Sequence, residues 1–186
     1  MPKLSDFRVA VLATHGVEES ELTEPVKALR DAGARVTIVS LAQSHIQAVR
    51  QDLEKTIQIE VDRTIGDVSA EDFDAVHLPG GTVNADSLRR VPEVQSLLRA
   101  MQDAEKPIAA ICHAPWELVS AGLVLGRTLT SYHTIQDDIR NAGGYWVDRE
   151  VVLDDNWVTS RQPNDLPAFN RAMLELFSRS HVAVRQ

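Results

Sequence analysis

The stretch Pro107-Ile108-Ala109-Ala110-Ile111-Cys112-His113-Ala114-Pro115-Trp116-Glu117-Leu118-Val119-Ser120 decides the fold. Its first five residues are an apolar run without the alternation of a half-exposed strand, as expected for a strand buried on both faces of a parallel sheet. From Pro115 the pattern becomes helical and amphipathic, and proline suits the first helical position. A tight strand-to-helix turn is therefore predicted at Cys112. Such a turn lifts a side chain above the carboxyl end of the strand, surrounded by backbone N–H groups. A helix N-terminus there would lower the thiol pKa and favour a nucleophilic thiolate. Cys112 is the single cysteine of 186 residues, and His113 follows it. A lone cysteine is often only a small buried hydrophobe; with a histidine it becomes a candidate nucleophile.

Outward from this turn the same alternation repeats. Phe7–Ala13, Arg35–Ser40 and Ala75–Leu78 read as strands, and Leu22, Pro25, Val26 and Leu29 recur at helical spacing until Gly33. Further helices are expected from Pro92, with Val94, Leu97, Leu98 and Met101 on one face, over Ile135–Ala142, and over Leu166–Phe177. Alternation in Thr56–Val61 suggests a short strand in an antiparallel excursion, and Thr128–Thr130 another short strand. Glu150–Ser160, with Asp154-Asp155-Asn156 at its centre, reads as a hairpin. Strands alternating with helices predict an α/β fold: a mostly parallel sheet with helices on both faces and a small antiparallel hairpin. No repeat, low-complexity tract or linker interrupts residues 1–186, so one domain is expected.

Composition narrows the function. A 44% hydrophobic and 25% charged chain is that of an ordinary globular protein. A net charge of −8 disfavours nonspecific binding to nucleic acid or to an anionic membrane. One cysteine forms no internal disulfide, and there is no Cys/His spacing typical of structural zinc. Met1–Asp6 precede no long apolar stretch, and no run reaches a membrane span. A cytoplasmic protein is expected, with no metal.

Ligands of open parallel sheets bind beyond the carboxyl ends of the strands. Three segments fall there: Thr14–Glu19, Pro79-Gly80-Gly81-Thr82 and Cys112-His113. Gly80 and Gly81 permit a backbone N–H to face developing oxyanion charge, together with the amide of His113. Glu18 would hydrogen-bond the sulfur if protonated, or pair with a cation if ionised. Glu19 and Glu21 read as solvated charges at a helix start. His113 is a candidate base, needing an acceptor on its other ring nitrogen, for which Asp86 is a candidate. Tyr132 and His133 are expected to line the same mouth. Trp116, Trp146 and Trp157 read as packing residues, because no basic residues interleave with them.

Ala110-Ile111-Cys112-His113-Ala114-Pro115, Leu78-Pro79-Gly80-Gly81, Val17-Glu18-Glu19-Ser20-Glu21-Leu22 and Thr130-Ser131-Tyr132 together resemble the PfpI family of the class I glutamine amidotransferase-like superfamily. Asp137–Gly143 and Asn156–Arg161 extend the resemblance to nearly the whole chain. It implies a flavodoxin-like three-layer sandwich with Cys112 as nucleophile and Glu18 as the carboxyl on the thiol. It also implies His113 as the neighbouring histidine and an acid, placed at Asp86, contributed by another subunit. The amides of Gly81 and His113 would form the oxyanion site. Where the family shows Cys-His-Gly-Pro, this chain has Ala114, whose methyl would narrow the site. The implied activities are a cofactor-independent glyoxalase or protein deglycase in the stress response, or an intracellular cysteine peptidase. The implied substrate is a small carbonyl or a glycated protein, and the implied assembly is a homodimer that builds further into hexamers. A redox sensor or chaperone using an oxidisable cysteine is the reading that needs no enzyme.

Overall fold

The structure is a computed structural model describing residues 3–184, with side chains through 181; Met1 and Pro2 of the N-terminal stretch lie outside the described residues. In chain order the elements are β1 (Arg8–Leu12), β2 (Val17–Glu18), α1 (Glu19–Asp31), β3 (Arg35–Ser40), β4 (His45–Arg50), β5 (Glu54–Glu60), β6 (Arg63–Thr64), β7 (Ala75–Leu78), α2 (Thr82–Arg89) and α3 (Pro92–Asp103). They continue with β8 (Ile108–Ile111), α4 (Pro115–Ser120), β9 (Thr128–Leu129), α5 (Gln136–Asn141), β10 (Tyr145–Trp146), β11 (Val151–Asp154), β12 (Trp157–Ser160) and α6 (Leu166–Val184).

The central sheet has the order β11-β12-β8-β7-β1-β3-β6. Every pairing in it is parallel except β11 with β12, the expected hairpin, whose register closes on Asp154 opposite Trp157. Period-2 alternation splits the strand residues between two faces. Ala10, Leu12, Val76, Leu78, Ile108 and Ala110 pack against Leu88, Leu98, Met101, Leu118 and Ile139 of α2 to α5. Val9, Ala75, Ala109, Ile111 and Val158 pack against Leu29 of α1 and Phe169, Met173 and Phe177 of α6. Val11 and Ile38 meet Leu22 and Val26 of α1 together with Ile46 and Ala48 of β4. Both sheet faces are thus covered, which is why the central strands read as apolar runs.

Three features differ from the sequence expectation. β4 and β5 form an antiparallel pair joined edgewise to β2, so the excursion before Val61 is a layer of its own rather than one strand. Its strands mix polar and apolar residues around an irregularity between Gln47 and Val49, which blurs the alternation. β9 pairs with β10 and stands outside the central sheet. α2 occupies Thr82–Arg89, a segment between the glycine pair and Pro92 to which the sequence patterns assign no element. Its propensity is weak, and it is fastened by side chains instead. Asn84 accepts the Thr14 N–H at 2.7 Å and donates to the carbonyls of Pro79 and Gly80. Asp52 caps the Thr82 N–H at 2.7 Å.

Candidate active site

Parallel strands end at the same edge, so the loops after β1, β7, β8 and β12 converge. Cys112 stands directly after β8 with φ of 62°, a left-handed conformation that costs a non-glycine residue about 1 kcal/mol or more. Three bonds hold it there. Its N–H donates to Ser160 at 3.1 Å, its carbonyl accepts the Tyr132 N–H at 2.8 Å, and the Ala114 N–H closes the turn on Ile111. This is the strained strand-to-helix elbow predicted from the sequence. Ala114 is right-handed helical (φ −57°), so no glycine is needed at that position.

The sulfur faces a cleft of about 690 Å³ whose walls include Glu18, Glu21, Asp52, Gly81, His113 and Tyr132. The backbone N–H groups of Gly81 and His113 both hydrogen-bond the Cys112 sulfur. These are the two amides expected to hold an oxyanion. Gly81 has φ of +96°, and a β-carbon there would press on the Glu18 nitrogen at 2.8 Å and on the backbone of Gly16 and Val17. Only glycine brings this amide so close to β2.

The carboxyl on the thiol is not the one the sequence suggests. Glu21 is fully buried, and its carboxyl hydrogen-bonds the thiol. Its Oε2 accepts the Gly80 N–H at 2.9 Å, while Oε1 is buried with no hydrogen-bond partner among the described residues. Glu18 lines the cleft one turn away, and its carboxylate instead accepts the backbone N–H groups of Gln51 and Asp52. The signal for Glu21 was present in the sequence. It lies four residues before Pro25, on the same buried stripe of α1 as Leu22, Pro25, Val26 and Leu29. A helix-start charge belongs in solvent only if its face does.

The protonation pattern also differs from expectation. Burial pushes the Cys112 thiol well up, and the neighbouring Glu21 charge adds to this. The N–H groups of Gly81 and His113 pull the other way. α4 has only six residues, so its dipole does not offset the desolvation. Burial, then the Glu18 charge, raises Glu21 to about 8. Two buried acids in contact cannot both ionise. At neutral pH the resting pair is a thiol beside a neutral carboxyl, and sulfur becomes nucleophilic only when a base takes its proton.

His113 is the candidate base nearest the sulfur. His113 Nδ1 lies 3.2 Å from Sγ. Burial lowers the His113 pKa, with Asp52 opposing and His133 assisting the shift. The ring stacks on Tyr132 with centroids 4.8 Å apart. Tyr132 is therefore in the cleft as expected, whereas His133 is exposed one ring further out, 4.5 Å beyond Tyr132. Asp86 is exposed on α2 and is not among the groups acting on His113. The carboxylate that does act on it is Asp52, in a segment too irregular for sequence reading to single out.

A doubly covered, mostly parallel sheet with a strained cysteine elbow, facing amides and a buried glutamic acid defines an α/β protein built around a candidate cysteine nucleophile site. The chain belongs to the DJ-1/PfpI family, whose sequence model matches residues 7–176. It is 42% identical over 171 residues to protein/nucleic acid deglycase 2 of Escherichia coli, covering 91% of this chain and 96% of the relative. It is 40% identical over 173 residues to general stress protein 18 of Bacillus subtilis, covering 92% and 98%. Among solved structures, Drosophila melanogaster DJ-1beta superposes with a TM-score of 0.83 at 31% identity, covering 96% of this chain and 94% of that one.

Proposed function

We propose that the protein is a cysteine-dependent enzyme acting on reactive carbonyls or their adducts, of glyoxalase or deglycase type. One observation carries this reading: the Cys112 sulfur lies within hydrogen-bonding reach of a base, His113 Nδ1 at 3.2 Å, of a neutral carboxyl, Glu21, and of two backbone donors. With methylglyoxal, sulfur bonds to the aldehyde carbon and the C=O π pair becomes an oxyanion held by the Gly81 and His113 amides. The thiol proton passes through His113 to that oxygen, giving a hemithioacetal. His113, neutral again, takes the proton from the first carbon while the neutral Glu21 carboxyl donates its proton to the oxygen on the second, giving an enediol. His113 then returns its proton to the second carbon and Glu21 recovers one from the first hydroxyl, which yields a thioester. Water then releases a hydroxy acid and restores the thiol. The internal hydrogen shift balances the oxidation, so the sum is substrate plus one water.

The relatives named as a deglycase and a general stress protein support this class. A glycated amine presents the same carbonyl-derived carbon, and Glu18, Glu19, Glu24 and Asp52 around the cleft suit an amine-bearing substrate. Self-association as a homodimer, and further as a hexamer, belongs to the same proposal, as does residence in the cytoplasm, which suits a lone thiol. Among the described residues no helix is long and apolar enough to cross a membrane.

The test compares wild type with Cys112→Ala and Glu21→Gln on methylglyoxal, a glycated amine and a fluorogenic peptide. Loss of turnover on the first two substrates in Cys112→Ala supports the reading. Full activity in Cys112→Ala refutes it. Turnover confined to the peptide would assign a peptidase. Stress protection that persists without turnover, with Cys112 oxidised, would assign a redox sensor.

A further inference from the structure

The turn joining β4 to β5 is strained. Gln51 and Asp52, its two central residues, both have positive φ (51° and 61°), and the Leu53 N–H closes the turn on the Arg50 carbonyl at 3.2 Å. Two consecutive left-handed residues without glycine persist only where their surroundings impose them. Here Glu18 accepts both central amides. The turn delivers the Asp52 carboxylate onto Thr82: Oδ1 accepts the Thr82 N–H and Oδ2 accepts the Thr82 hydroxyl, each at 2.7 Å. The same hydroxyl oxygen lies 3.4 Å from His113 Nε2.

We propose that Asp52, acting through the Thr82 hydroxyl, is a positioning residue that fixes His113 with its proton on Nε2 and its Nδ1 open to the Cys112 thiol. This rests on the reading of Cys112 as nucleophile and His113 as its base.

Donors and acceptors must match along this chain of contacts. An ionised carboxylate only accepts, so the Thr82 hydroxyl proton is committed to Asp52. What the Thr82 oxygen offers His113 is then a lone pair, which requires a proton on Nε2. Thr134 Oγ1, 3.3 Å from the same nitrogen, can accept from it in the same way. A neutral imidazole carries one ring proton, so Nδ1 is bare, and it is the atom 3.2 Å from Sγ. When the thiol proton moves from sulfur to Nδ1, the ring becomes a cation. Asp52 favours that cation; burial and the neighbouring His133 oppose it. Asp52, one hydroxyl removed from the ring, is placed as an orienting carboxylate rather than as the base, as in a hydrolase triad. The remaining aromatic neighbours of the ring, Tyr132 at 4.8 Å and Trp116 at 5.5 Å between centroids, hold its plane.

The experiment uses full-length Asp52→Asn, Thr82→Val and Thr82→Ser proteins. Two readouts need no substrate: the rate of Cys112 alkylation by iodoacetamide from pH 6 to 8, and the His113 ring tautomer from long-range proton–nitrogen NMR. The carboxamide introduced by Asp52→Asn would donate to the Thr82 oxygen and turn its hydroxyl proton onto Nε2. Asp52→Asn is expected to slow alkylation at pH 7 by about tenfold, one pKa unit of base strength, and to bring up the Nδ1-protonated tautomer. Thr82→Val should slow it in the same direction, and Thr82→Ser, which keeps the hydroxyl, should stay within about twofold of wild type. A folded Asp52→Asn protein with the Nε2 tautomer and a rate within about twofold of wild type overturns the proposal. So does a tautomer shift seen in Asp86→Asn but not in Asp52→Asn, which would place the acid on a second copy. Because neither readout uses a carbonyl substrate, a wrong substrate class leaves this test unaffected.

Discussion

Glu21 Oε2 and the Gly80 amide nitrogen lie 2.9 Å apart, and this bond ties α1 to the loop after β7 across the floor of the site. A second tie runs parallel to it. His77 Nε2 on β7 lies 2.9 Å from the Glu21 carbonyl in the same buried layer, where burial holds the ring neutral with a pKa of about 4. The position of the acid beside Cys112 is thus set by a strand and its glycine loop as much as by the helix that carries it.

Gly80 is irreplaceable for a steric reason. A β-carbon there would stand 2.6 Å from the Cys112 β-carbon and would collide with Glu21 Oε2. Gly80→Ala is expected to lose about 2 kcal/mol in urea unfolding, typical of overpacking. Alkylation of Cys112 should slow at the same time, because the acid is displaced from the sulfur. Unchanged stability with an unchanged alkylation rate would show that the loop yields without cost.

Glu21 makes stability depend on pH with a definite sign. Its folded pKa of about 8 lies above the ordinary value of 4.5, so between these values the native state holds a proton that the unfolded chain releases. Its stabilising contribution is full below about pH 4.5 and is lost as pH rises through 8. Relative to Glu21→Gln, which carries no titrating proton, wild type should weaken across that window by an amount on the order of 4 kcal/mol. Chemical unfolding of both proteins at about pH 5 and about pH 8 checks this, and parallel stability profiles would contradict it.

Glu18 serves the turn rather than the sulfur. Glu18→Ala should release the Gln51 and Asp52 amides, costing about 1–2 kcal/mol locally, and raise their hydrogen exchange by about tenfold. Cys112 alkylation should fall less than in Glu21→Gln. The reverse order of effects would restore Glu18 to the thiol.

Glu117 on α4 is fully buried, and neither of its carboxyl oxygens has a hydrogen-bond partner among the described residues. Burial pushes its pKa well up, so it is a neutral acid in an apolar layer. Glu117→Leu, similar in size, should stabilise the fold at neutral pH by about 1–3 kcal/mol, since the desolvation cost disappears. Thermal unfolding tests this. A lower melting temperature would mean that the carboxyl has a role in holding α4.

The sequence alone determined the architecture, because apolar runs such as Ile108–Ile111 and Val9–Leu12 and helical stripes such as Val94, Leu97, Leu98 and Met101 are local patterns with a single packing solution. It also determined the cysteine elbow and the two amides facing the sulfur, since a strand meeting a helix at Cys112 and a glycine pair after β7 fix backbone direction within a few residues. What it did not determine were the side-chain partners. Glu18, Glu19 and Glu21 have the same chemistry, and which one reaches the thiol depends on the rotation of α1 against β7. Asp52 reaches Thr82 across thirty positions of chain only because β4 and β5 fold back beside β2. Local periodicity fixes elements and their faces. The meeting of carboxyl, hydroxyl, imidazole and thiol depends on how those elements dock, and that is decided only when the layers close.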